Sequence, residues 1–179
     1  MTRYRRARTG TTYFFTLVSY ERRPILCYEP IRNVLRLAVQ YVRARRPFDI
    51  DAWVLMPDHL HCIWTLPEGD ADYSMRWAQI KRTVSRFCGP DMRTRHPVSE
   101  SRRKHRDSVI WQRRFYEHQI VDEGDYERHV DYVHFNPVRH GHAESAGAWP
   151  FSTFHRYVRA GILAADWGGS TQTGQMHLE

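Results

Sequence analysis

A hairpin in the middle of the chain constrains the fold most. Residues 48–55 alternate around Ile50, Ala52 and Val54, so they read as a strand. Met56-Pro57-Asp58 reads as a tight turn. Residues 59–66 read as a second strand, closed by Pro67-Glu68-Gly69-Asp70. The flanking segments supply the rest of a sheet. The β-branched and aromatic run 13–18 predicts a strand, and Ile31, Val34, Leu35, Ala38, Val39 and Val42 predict a helix over about 30–45, ended by Pro47. Asp72 or Ser74 caps a helix that carries Met75, Ala78, Ile80, Val84 and Phe87 and stops at Gly89 and Pro90. Residues 115–121 predict a fourth strand. Asp122 or Asp125 opens a helix that Pro137 ends. The order is βαββαβ and then a helix. It predicts an α+β fold: a ferredoxin-like antiparallel sheet with helices on one face, followed by a C-terminal helix. Residues 1–142 are expected to form one domain with a basic N-terminal arm. Residues 143–179 are an extension that packs on it through Trp149, Phe151, Phe154 and Trp167 before a fraying tail.

The net charge of +7 is unevenly placed. Residues 1–46 hold 11 Arg or Lys against two Glu, and residues 81–114 hold 11 against three acids; the remainder carries five basic residues and 15 acids. Two electropositive surfaces on a mildly acidic body suit a polyphosphate partner; a merely solvated, Arg-rich surface is the bland alternative. No stretch approaches the roughly 20 apolar residues of a membrane span, and no apolar run behind the basic N-terminus reads as a signal peptide. Cys27, Cys62 and Cys88 are scattered and lack CxxC spacing, as expected of thiols in a reducing cytoplasm.

His59-Leu60-His61 opens the third strand. Side chains alternate across a strand, so both imidazoles face one way and Leu60 the other. Two imidazoles on a rigid strand can grip a divalent cation. By itself such a pair is more often an exposed or core-edge pair without a ligand, and His140 and His142 share the spacing in a loop around Gly141.

The context is more specific. The segment 53–64, WVLMPDHLHCIW, resembles the HUH motif of single-tyrosine transposases, particularly the REP-associated group. The helix 125–137 resembles that group's tyrosine helix, with Tyr132 and Asn136 four apart and on one face. Segments 111–118 and 149–156 extend the resemblance, which covers residues 3 to about 167. It implies that Tyr132 is the nucleophile and that His59, His61 and Asn136 hold Mg²⁺ or Mn²⁺, with zinc the competing inorganic reading. Tyr126 is a decoy, with no ligand-type residue four positions on. His129, three residues before Tyr132, is expected to orient it or touch DNA and is not assigned to the metal.

The resemblance further implies cleavage and joining of single-stranded DNA at REP-like hairpins through a 5′-phosphotyrosine, by a cytoplasmic protein that is nucleoid-associated when bound and works as a monomer or homodimer. Expected DNA contacts are Arg3, Arg5, Arg6 and Arg8 in the arm, and Lys81, Arg82 and Arg86 on the second helix. The basic loop 90–108 either adds DNA contacts or is disordered. Two other readings stay open on residues alone: a non-catalytic nucleic-acid-binding regulator on the same fold, and a zinc-dependent hydrolase.

Overall fold

The computed structural model describes residues 10–95 and 110–168. Its central hairpin joins β2 (Asp49–Leu55) to β3 (His59–Thr65), with the Met56 N–H donating to the His59 carbonyl across the turn at 2.8 Å. β1 (Thr12–Val18) lies against the other side of β3, and the short β4 (Tyr116–Gln119) lies against β1. Every pairing is antiparallel, and the spatial order is β2-β3-β1-β4, as the βαββαβ pattern predicts.

All seven residues of β3 are buried, so both faces of the sheet are covered. On one face lie α1 (Glu29–Arg45) and α2 (Tyr73–Arg95). α1 turns Ile31, Leu35, Ala38, Val39 and Val42 inward at helical spacing. β3 meets them with Leu60, Cys62 and Trp64. Trp64 stacks on Trp77 of α2 with centroids 4.0 Å apart and also packs on Phe48 at 4.1 Å. Buried Arg76 ties this layer together. Its guanidinium bonds both carboxylate oxygens of Asp70 (3.1 and 2.6 Å) and the backbone carbonyls of Arg46, Pro47 and Asp72. Five N–H groups thus find five acceptors, which makes a buried cation tolerable.

The second face is covered by α3 (Glu123–Arg139), with Val130 and Val133 packed against Phe14, Ala52, Val54 and Ile63. Behind α3 come a short helix, α4 (Phe154–Arg159), and the aromatic residues Phe154, Tyr157 and Trp167. The segment before α4 runs along the free edge of β2. Leu55 N–H donates to Phe151 O, Thr153 N–H donates to Trp53 O, and Trp149 Nε1 donates to Leu55 O. The C-terminal segment therefore closes a sheet edge that would otherwise expose backbone donors and acceptors.

Two expected helix stops do not hold. α2 passes through Gly89 and Pro90 to Arg95. The turns before them bury Trp77, Ile80, Val84 and Cys88, and that packing outweighs a local propensity cost of about 1 kcal/mol for Gly and about 3 for Pro. α3 likewise continues past Pro137. Its end is set by Gly141, whose φ of 69° is the left-handed cap conformation. Gly141 N–H donates to Val138 O and His142 N–H to Pro137 O, the paired bonds of a Schellman cap. Of the alternative N-caps, Asp122 takes α3, accepting from Asp125 N–H at 2.7 Å, and Asp72 takes α2, accepting from Met75 N–H at 3.1 Å. No described helix is long and apolar enough to cross a membrane.

Candidate active site

His59 and His61 leave β3 on the α3 side, opposite Val18 and Thr16 of β1. Their ring centroids are 4.8 Å apart, and each residue is only 4% exposed. Each ring is held by its Nδ1. His59 Nδ1 meets Asp58 Oδ1 at 2.6 Å, and His61 Nδ1 meets the Thr16 hydroxyl at 2.8 Å. Nε2 is therefore the nitrogen each ring offers to the site. Asp58 is itself held by Arg22 at 3.2 Å, from a turn in which Glu21 and Arg22 adopt left-handed φ values of 55° and 51°.

α3 brings the other half. Asn136 is fully buried, and its Oδ1 lies 3.1 Å from His59 Nε2. One turn earlier, the half-buried Tyr132 ring stands edge-on to His61, centroids 5.0 Å apart and planes at 69°. Phe14 supports the same ring from 5.9 Å, and the Arg139 guanidinium lies 5.5 Å from its centroid. His140, beyond the helix end, sits 5.1 Å from His59.

The electrostatics suit a cation-binding donor set. Burial, then the neighbouring His59, His140, Arg139 and Arg22, holds His61 well below the ordinary imidazole value, so its lone pair is available at neutral pH. Burial also lowers His140, reinforced by His59 and opposed by Asp58. Burial pushes the Asp58 carboxyl up. The hydrogen bond and charge of His59, with the Arg22 hydrogen bond, outweigh that and hold it below its usual value. Asp58 holds the Nδ1 side of the His59 ring, so Nε2 faces the site. Asn136 turns its carbonyl oxygen toward Nε2 and leaves Nδ2 buried with no hydrogen-bond partner. His59 Nε2 and Asn136 Oδ1, 3.1 Å apart, are donor atoms of the kinds a divalent cation takes. Two imidazole nitrogens and an amide oxygen fit such an ion.

The structure brings together His59, His61, Asn136 and Tyr132. It buries Tyr126 in the apolar cluster beneath α3. His129 turns away from the pair, its Nδ1 2.8 Å from Asp125 O. Lys81, on the opposite layer, donates to the carbonyls of Gln112 and Arg113 at 2.8 and 3.1 Å, and burial lowers its ammonium to about 8. Arg82 and Arg86 are exposed on the same helix. Arg3, Arg5, Arg6 and Arg8, most of the basic loop and the end of the tail lie outside the described residues. Sequence reasoning missed Asp58, Thr16, Arg139 and His140. Asp58 directly precedes the pair, and Arg139 is seven residues, two helical turns, beyond Tyr132, so both carried a local signal. Thr16 is matched to His61 only by the β1–β3 register.

A four-stranded antiparallel sheet flanked by helices makes this an α+β protein, and comparison with known proteins gives its family. Residues 7–136 match the family model described as transposase, IS200 like. The chain belongs to that family, on the branch of the REP-associated tyrosine transposases. It is 44% identical over 170 residues to the REP-associated tyrosine transposase of Escherichia coli (strain K12), covering 94% of this chain and 92% of that one. A Haemophilus influenzae protein is 41% identical over 171 residues, covering 95% of each chain. A solved structure of a REP-associated tyrosine transposase bound to a REP hairpin superposes with a TM-score of 0.75 at 41% identity, covering 100% of this chain and 98% of that one. These relatives make the chain a DNA-cleaving enzyme of the transposase type, and the family points to a divalent metal.

Proposed function

We propose that this protein cleaves and rejoins single-stranded DNA beside REP-type hairpins through a covalent 5′-phosphotyrosine on Tyr132. The observation that carries this reading is the edge-on approach of the Tyr132 ring to His61, on the helix face that also delivers Asn136 to His59. His59, His61 and Asn136 would hold Mg²⁺ or Mn²⁺. When bound, such an ion supplies Lewis-acid neutralisation of a non-bridging phosphate oxygen.

The chain's own groups do the remaining work. Tyr132 Oη attacks phosphorus in line. The new bond is Oη–P, the bond broken is P–O3′, the phenol loses its proton and the departing O3′ gains one. Phosphodiester energy is kept in the Oη–P linkage, so a second 3′-hydroxyl can reverse the step without ATP. Arg139, its guanidinium 5.5 Å from the centre of the Tyr132 ring, is proposed to steady the phenolic oxygen as the proton leaves. Asp58 and Thr16 fix the two imidazoles, so the donor set is assembled before substrate arrives. Arg82 and Arg86, with Arg3, Arg5, Arg6 and Arg8 of the arm, are proposed to contact hairpin phosphates, and residues 143–179 are proposed to act as a brace on the catalytic unit.

Incubation with a REP-type hairpin carrying a single-stranded flank, followed by a denaturing gel, tests the reading. Wild-type protein is expected to leave a covalent adduct in Mg²⁺ or Mn²⁺ and none in chelator, whereas Tyr132→Phe binds the hairpin but forms no adduct. An undiminished adduct in the variant refutes Tyr132 as nucleophile. Hairpin binding with no adduct from either protein supports a regulator without catalysis, and cleavage without an adduct supports a hydrolase.

A further inference from the structure

A second group of metal-type ligands lies outside the site above. His118 projects from β4, while Asp125 and His129 occupy successive turns of α3. Asp125 receives both imidazoles: His118 Nε2 is 2.8 Å from Oδ2, and His129 Nδ1 is 3.1 Å from Oδ1 and 2.8 Å from the backbone carbonyl oxygen, a contact that an ion on that nitrogen would replace. The two rings stack nearly parallel, 15° apart with centroids at 4.8 Å, and one ligand atom from each residue lies within 4.8 Å of those of the other two. We propose that His118, Asp125 and His129 form a second divalent-ion site, suited to an imidazole-preferring ion such as Zn²⁺, that clasps β4 to the start of the tyrosine helix.

The donor chemistry favours such an ion over Mg²⁺. Two imidazoles and a carboxylate are a common three-ligand set for zinc, with water in the fourth position. Zinc at ~2.1 Å from each donor spaces tetrahedral ligands by about 3.4 Å, so the 2.8 and 3.1 Å contacts of the two imidazoles with the carboxylate need open only slightly to admit it. Asp125 is pre-oriented by the Val121 N–H, which donates to Oδ2 at 3.1 Å. The side chains of His118 and His129 are 34% and 17% exposed, so ion and water can reach a cup whose carboxylate is 6% exposed. One charge opposes: the Arg128 guanidinium lies 3.4 Å from Asp125 Oδ1, but it is 57% exposed and free to turn into solvent.

The two sites are separate. Phe14 stands between them, its ring 4.7 Å from His129 and 5.5 Å from His61. They nevertheless share α3. An ion at the first two turns would fix the segment that leads directly to Tyr132, whereas hydrogen bonds alone would leave β4, a four-residue edge strand, less firmly held.

The test uses the full chain, dialysed against Zn²⁺ and assayed for bound metal, and does not depend on the catalytic reading. In a His59→Ala, His61→Ala background one Zn²⁺ per chain should remain, and adding His118→Gln should remove it. Co²⁺ in that background should give visible d–d absorption that His118→Gln abolishes. If the doubly substituted chain does not fold, the same comparison is made in the otherwise native chain, where His118→Gln should lower the zinc content by one; His129→Gln serves if His118→Gln is itself unfolded. Equal zinc with and without His118→Gln, in either background, overturns the proposal and leaves the cluster as a hydrogen-bonded clamp only.

Discussion

The two faces of β3 divide the work of the molecule. Leu60, Cys62 and Trp64 point into a layer of aliphatic and aromatic side chains from α1 and α2, where shape governs what each strand residue must satisfy. His59 and His61, one position out of phase, are just as buried but point at α3. On that side every imidazole position is specified by a named partner: Asp58, Thr16 or Asn136. The comparison teaches that similar burial serves different ends. Dispersion and water exclusion stabilise the first face. The second holds polar groups out of water through specific hydrogen bonds, and that constraint fixes the donor set.

The sharpest way to break this comparison is at Tyr132. Tyr132→Phe is expected to lower single-turnover cleavage by about 10³-fold or more while leaving stability within ~0.5 kcal/mol, because a half-buried ring is kept and one hydroxyl removed. Cleavage kinetics and urea unfolding on the same preparation check both halves. Trp64→Ala should do the opposite. It empties the stack against Trp77 and Phe48, costing about 3–5 kcal/mol, yet protein still folded at low temperature should cleave at a near-native rate. A large rate loss in folded Trp64→Ala would show that the two faces are coupled.

A finer test lies within the polar face. Asp58→Asn keeps the side-chain shape but removes the ionised acceptor that fixes His59, and should weaken Mn²⁺ binding by ~10–100-fold as read by titration. An unchanged affinity would mean that the imidazole orients itself. On the other layer, Arg82→Ala and Arg86→Ala should each reduce the salt dependence of hairpin binding by about one phosphate contact without altering the adduct yield of bound DNA. The smallest effect concerns Lys81. Its folded-state ammonium sits at about 8, below the unfolded value of 10.5. Below pH 8 both states carry the proton, so there is no pH dependence from this group. Between about 8 and 10.5 the unfolded chain holds the proton that the folded chain has released, and acting alone this raises stability with pH. Lys81→Met should remove that rising component from urea midpoints across the window.

The readable parts of the site were those encoded by local periodicity. Strand alternation puts His59 and His61 on one face, and helical spacing does the same for Tyr132 and Asn136. The misread parts were those where local and global preferences compete. Gly89-Pro90 and Pro137 look like helix ends, but upstream packing carries α2 onward, and a left-handed Gly141, four residues beyond Pro137, closes α3. The cluster of His118, Asp125 and His129 was also hidden, because its ligands come from a strand edge and a helix whose approach no single segment records.

The amino-acid order alone determined the βαββαβ sequence of elements, the shared face of the histidine pair and the one-turn spacing of tyrosine and amide, since each follows from backbone geometry over a few residues. Only the tertiary structure decided that α3 covers the second face of the sheet, that Thr16 and Asn136 complete the surroundings of the two imidazoles, and that the Tyr132 ring stands beside His61. Those are contacts between segments distant in the chain. They are selected by how whole faces pack, because a side chain's partner across a sheet depends on register and layer order, which no local spacing specifies.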